Sequence, residues 1–138
     1  MKRRLRRNPL LINAKFAVLF AVGLFSAIIL ADLGPLRMVL RLVNRVPYLD
    51  KALHFILIGT LMYLVAASLI EALPAYNPVL ITLTTAVILA LVFSLEEYSQ
   101  GPIRGRTASW TDLAANYAGI IVFGTFSWFR FRNRKMGI

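Results

Sequence analysis

The sequence predicts an all-α integral membrane protein: a bundle of four transmembrane helices, with a short interfacial amphipathic helix between spans 1 and 2. Three observations predict it. Four apolar runs reach, or nearly reach, the roughly 17–25 residues that a helix needs to cross a hydrocarbon core about 30 Å thick. Of the 138 residues, 59% are hydrophobic and mean hydropathy is +0.69, against roughly 45–50% apolar residues in ordinary soluble domains. Too little polar surface is left to cover four such helices in water. Finally, the basic residues flank the apolar runs instead of forming a solvated face, so the net charge of +10 points to a membrane surface and not to nucleic acid.

The first run, "LLINAKFAVLFAVGLFSAIILA" over 10–31, follows the basic leader "MKRRLRR". Its apolar part exceeds the roughly 7–15 residues of a signal-peptide core, and no A-x-A site follows, so it reads as an uncleaved anchor. Lys15 is near enough to one end to snorkel. Next comes "GPLRMVLRLVNRVPYLDK". Leu36, Val39, Leu40 and Val43 recur at helical spacing beside Arg37, Arg41 and Arg45, which predicts the interfacial helix, apolar side to lipid and arginines to phosphates. Pro35 opens it and Pro47 ends it. The remaining spans are expected at 52–70 ("ALHFILIGTLMYLVAASLI"), 78–95 ("PVLITLTTAVILALVFSL") and about 111–129. The chain then divides into a leader (1–9), one transmembrane domain (10–129) and a basic tail (130–138).

Ten of the 16 Lys and Arg residues fall on the side of the two termini and six on the other, which predicts a multi-pass protein of the cell membrane with both termini cytoplasmic. Tyr48, Tyr98 and Trp110 at one level, and Tyr76 and Trp128 at the other, suit the two interfaces. With no cysteine, disulfides, thiolate nucleophiles and Cys-based metal sites are excluded.

This topology brings "DKALH" (50–54), "EEYSQ" (96–100) and "RTASWTDLAAN" (106–116) to one membrane level. Asp50 and His54 share a helix face, as do Glu97 and Gln100, while Ser109, Asp112, Asn116 and Gly119 fall within an arc of about 80°. Polar groups at such depth are costly to expose to lipid and are expected to face one another. One polar cup results. Duller roles compete. "SWTD" fits a capping box with Ser109 as N-cap and Asp112 returning to the backbone; His54 suits an interhelical hydrogen bond; Arg104 and Arg106 suit loop charges or lipid-phosphate contacts; Gly119 suits close packing; and Thr82, Thr84 and Thr85 suit bonds to their own helix. Patterns for CAAX-type proteases, lipid-phosphate phosphatases and G-x-S-x-G hydrolases are not met. A metal on His54 with Asp50, Glu97 or Asp112 is allowed by ligand type, but a lone histidine is weak evidence, so no metal or cofactor is assigned.

"DKALH", then Glu97-x-x-Gln100, then R-x-x-S-x-x-D-x-x-x-N-x-x-G from Arg106 to Gly119, resembles the VanZ-like family of small bacterial membrane proteins. The resemblance covers about 50–124. It departs in the extra arginine of "GPIRG" and in Phe123, where a glycine is expected that comes one step late as Gly124. It implies action at the cell envelope and a link to glycopeptide (teicoplanin-type) resistance, without fixing a reaction. The matched positions Asp50, Lys51, His54, Glu97, Gln100, Arg106, Ser109, Asp112 and Asn116 would carry the activity. Three readings stand: binding or modifying an anionic membrane-borne ligand such as a phospholipid, a lipid-linked cell-wall precursor or a lipoglycopeptide; ion- or proton-coupled transport; or a structural, partner-binding role. In the first, Lys51, Arg104 and Arg106 hold phosphates, Gln100, Ser109 and Asn116 complete the binding set, and His54 with Asp50, Glu97 or Asp112 moves a proton.

Overall fold

A computed structural model describes residues 9–102 and 108–133. They form five helices and no strand: α1 (Pro9–Leu33), α2 (Arg37–Val43), α3 (Leu49–Ala72), α4 (Pro78–Ser99) and α5 (Trp110–Phe131). The protein is all-α, and three helical stretches are long and apolar enough to cross a membrane: Ala14–Leu33, Leu49–Ala72 and Pro78–Ser99. The fourth expected span forms as a 22-residue helix, α5. It is not among the three, because Asp112, Asn116 and Arg130 lower its hydropathy. The helices also outrun the apolar runs that predicted them. α3 starts three residues early and α4 ends four residues late, so Asp50, Lys51, Glu96 and Glu97 are carried on regular helix at the bundle's rim.

Local chemistry sets the ends. Gly34 follows α1 with φ +107°, a left-handed conformation that L side chains rarely adopt, and the N–H groups of Gly34 and Leu36 both donate to Leu30 O (3.1 and 3.4 Å), closing the helix as a glycine C-cap does. Asn77 caps α4, accepting from Val79 N at 2.9 Å, with Pro78 at the first helical position, where its missing N–H is harmless. α2 sits where the alternation of Leu and Arg predicts it, after Pro35 and before Pro47. Leu36, Val39, Leu40 and Val43, on and beside it, border a cavity next to the bundle, and no residue of α2 is buried.

Packing centres on α3. Ile58, Leu61, Met62, Ala66, Leu89, Phe93 and Ile120 form the core, with Phe20, Ala21, Leu24 and Ile28 of α1 laid against it. Phe25 and Phe93 stack at 6.0 Å between centroids. α3 and α5 run parallel and very close. A Cβ on Gly119 would collide with Phe55 O and come within 3.1 Å of Gly59 N; backbone atoms cannot yield as a side-chain tip can. One turn on, a Cβ on Gly59 would collide with the Phe123 ring, and one on Gly124 would reach Met62 Cε at 2.9 Å. The bulk of Phe123, in place of an expected glycine, is therefore received by the bare backbone of Gly59. The outer surface is apolar, with Leu19, Val22, Leu83, Leu91, Ile121 and Phe126 among the exposed side chains. In water such a surface would be a liability; lipid suits it.

Candidate functional site

The close α3–α5 crossing determines what the polar residues can reach. Lys51 Nζ lies 2.8 Å from Asp50 Oδ2 and 3.2 Å from Asp112 Oδ1. One turn deeper, His54 Nδ1 lies 2.9 Å from Asn116 Oδ1. An amide oxygen only accepts, so Nδ1 carries the hydrogen, and in the neutral ring the lone pair is then on Nε2. That nitrogen faces Asp112 Oδ2 at 3.9 Å. The contact expected between the "DKALH" and "DLAAN" segments is present. On α3 both Lys51 and His54 face Asp112, at 3.2 and 3.9 Å, while Asp50 bonds Lys51.

The capping box is built by half. Ser109 is the N-cap of α5 and its side chain accepts from Asp112 N at 3.4 Å. The reciprocal bond is not made by Asp112. Glu97 of α4 supplies it, Oε1 accepting from Ser109 N at 2.6 Å. A carboxylate twelve residues away thus satisfies the orphan N–H of the cap, and Asp112 is released to face Lys51 and His54. Glu97 is only 4% exposed and its second oxygen, Oε2, has no hydrogen-bond partner; the same holds for Nδ2 of the fully buried Asn116. Gln100, also buried, donates to Glu96 Oε1 at 2.6 Å and so braces α4 at the cavity edge. Arg104 and Arg106 lie outside the described residues.

A cavity of about 740 Å³ opens beside this cluster. One wall is apolar: Leu24, Ala27 and Ile28 of α1, with Leu36 just before α2 and Leu40 and Val43 on it. The other is polar: Asp50, Lys51, His54, Gln100, Ser109 and Asp112. Its volume falls in the range of small-molecule sites, roughly 300–1,000 Å³. Among the described residues the cup holds four carboxylates (Asp50, Glu96, Glu97, Asp112) against the single ammonium of Lys51. Sequence reasoning missed two features. It overlooked Glu96, whose partner Gln100 lies at the helical i+4 spacing that flags it, and it missed the part that α1 and α2 play in walling the site, for which the sequence holds no sign. A donor atom each from His54, Glu97 and Asp112 lies within 4.8 Å of the other two, a set able to hold a cation although no metal was assigned from sequence.

No family model matches the chain, and neither a curated protein nor a solved structure matches it significantly.

Proposed function

We propose that the chain is a four-span, VanZ-like protein of the cell membrane that binds the head group and first chain segments of an anionic, membrane-borne amphiphile at the cup. The observation that carries this reading is the cavity, with a hydrocarbon-like wall from α1 and α2 and a hydrogen-bonding wall from α3, α4 and α5. A wholly polar solute would waste the first wall, and a plain hydrocarbon would leave the second unpaired. α5 completes the four spans. Its polar Asn116 and Ser127 are fully buried while Ile121, Val122, Phe126 and Phe129 are exposed, so the side presented outward is apolar, and 22 residues span about 33 Å. Both termini are cytoplasmic on the basic-residue count, α2 lies at the interface, and Arg106 supplies a bidentate fork for phosphate. Envelope action and a bearing on teicoplanin-type resistance follow from the VanZ-like pattern.

Native mass spectrometry of the full chain with a polyprenyl phosphate tests the site. Wild type retains the lipid; Ala27→Trp, which fills the cavity from its apolar wall, loses it, and Arg106→Gln weakens it, while Arg106→Lys recovers part. Equal retention by wild type and Ala27→Trp overturns the reading. Because the chain lacks cysteine, single cysteines at Lys2, Tyr76, Ile103 and Met136 report topology. Only the one at position 103 is labelled from outside intact cells; labelling at 2 or 136 reverses the orientation, and labelling of both 76 and 103 from one side removes the fourth span.

A further inference from the structure

We infer that His54, Glu97 and Asp112 form a binding site for one divalent transition-metal ion, of which Zn²⁺ and Mn²⁺ are the test cases. The inference begins with donor chemistry: an imidazole and two carboxylates, carried on three different helices, meet at the cup.

The geometry is specific. Three donor atoms from three helices converge within 4.8 Å. Metal–ligand bonds of roughly 2.0–2.2 Å place the donors of one ion about 3–4.3 Å apart, so the set needs only a small closure. His54 is prepared as a ligand: its Nδ1 hydrogen is engaged by Asn116 Oδ1 at 2.9 Å, the outer-shell bond that fixes a metal-binding imidazole in the right tautomer. In the neutral ring the Nε2 lone pair and the Asp112 Oδ2 carboxylate oxygen are two acceptors facing each other at 3.9 Å, an arrangement that a cation held between them satisfies. Glu97 provides an independent sign. Oε1 is occupied by Ser109 N, but Oε2 is buried and without a partner, and a buried carboxylate oxygen is expensive to leave unpaired. Imidazole with two carboxylates suits Zn²⁺ or Mn²⁺ better than Ca²⁺ or Cu⁺. His54 and Asp112 border the cavity whereas Glu97 does not, so the open coordination positions face the cavity. There the ion would offer positive charge to a phosphate oxygen. The metal site stands on this geometry alone; its use as a phosphate anchor rests on the function proposed above.

The test is calorimetric titration of the purified full chain in detergent micelles, after removal of metals with EDTA, with Zn²⁺ and separately Mn²⁺. One ion per chain is expected, and the melting temperature rises with it. Glu97→Gln still accepts from Ser109 N, which protects the fold; it and His54→Gln each weaken binding at least about 10-fold, the loss that altering even an outer-shell partner produces. No saturable binding near one per chain, or unchanged affinity in both variants, overturns the site. Polyprenyl phosphate retention measured with and without Zn²⁺ separates the two proposals. If the ion binds but EDTA leaves retention unchanged, the site stands and the anchoring role falls. If no ion binds while Ala27→Trp still abolishes retention, the metal site falls and the lipid site stands.

Discussion

The two ends of the bundle treat buried polar groups in opposite ways. At the end holding Ser68, Thr82 and Thr85, these three hydroxyls bond their own helix, Ser68 Oγ to Leu64 O at 2.6 Å, Thr82 Oγ1 to Pro78 O and Thr85 Oγ1 to Ile81 O at 2.8 Å, while Ser127 Oγ, at the same end, is without a partner. Contact between helices there is made by shape, with Gly124 against Met62 and Tyr63 against Phe126. At the cup, bonds run between helices: Lys51 to Asp112, His54 to Asn116, and Glu97 to Ser109. Self-satisfied hydroxyls only need the helix to exist. Groups that depend on another helix hold a fixed geometry, and where that geometry leaves Glu97 Oε2 and Asn116 Nδ2 without partners, it leaves capacity for something to bind.

The largest effect should come from the joint between the ends. Gly119→Leu drives a side chain into the Phe55 carbonyl and should lower stability by about 3 kcal/mol, the upper range of overpacking. Gly23→Ala, with open space around it, should be neutral or stabilising by up to about 1 kcal/mol. Thermal unfolding in micelles measures both, and a mild Gly119→Leu would mean the crossing is looser than described.

Asn116→Leu comes next. It strips the acceptor from His54 Nδ1 and should destabilise by about 2 kcal/mol. Adding His54→Leu should restore part of the loss, since a double-mutant cycle isolates the pair. Were Asn116→Leu harmless, the contrast between the ends would collapse.

At the far end the sign should change. Ser127 is fully buried and its hydroxyl has no partner, so Ser127→Ala should stabilise by about 1 kcal/mol. Smallest of all, Thr85→Val removes a bond internal to one helix and should shift stability by less than about 0.5 kcal/mol. A loss as large as that of Asn116→Leu would show that Thr85 serves the interface.

How much of this was legible in the sequence follows the same division. The back-bonded Thr82 and Thr85, the N-cap at Ser109, the glycine seam at Gly119 and the helix between Pro35 and Pro47 are local features, readable from residue type and spacing. Apolar period and basic flanks likewise determined an all-α chain with its polar clusters at one end. The partners of those clusters were not readable. That Lys51 and His54 both face Asp112 depends on how α3 is rotated against α5, where Gly59 and Gly119 let the two helices approach. That Glu97 takes the cap N–H of Ser109, freeing Asp112, depends on α4 and α5 meeting at the rim. The cavity exists because α1 packs along α3 and α2 borders the space beside them. Secondary structure is determined within a few residues, so the sequence by itself decided it; the cup is made of atoms brought together from three stretches of chain, and only packing could decide which of them meet.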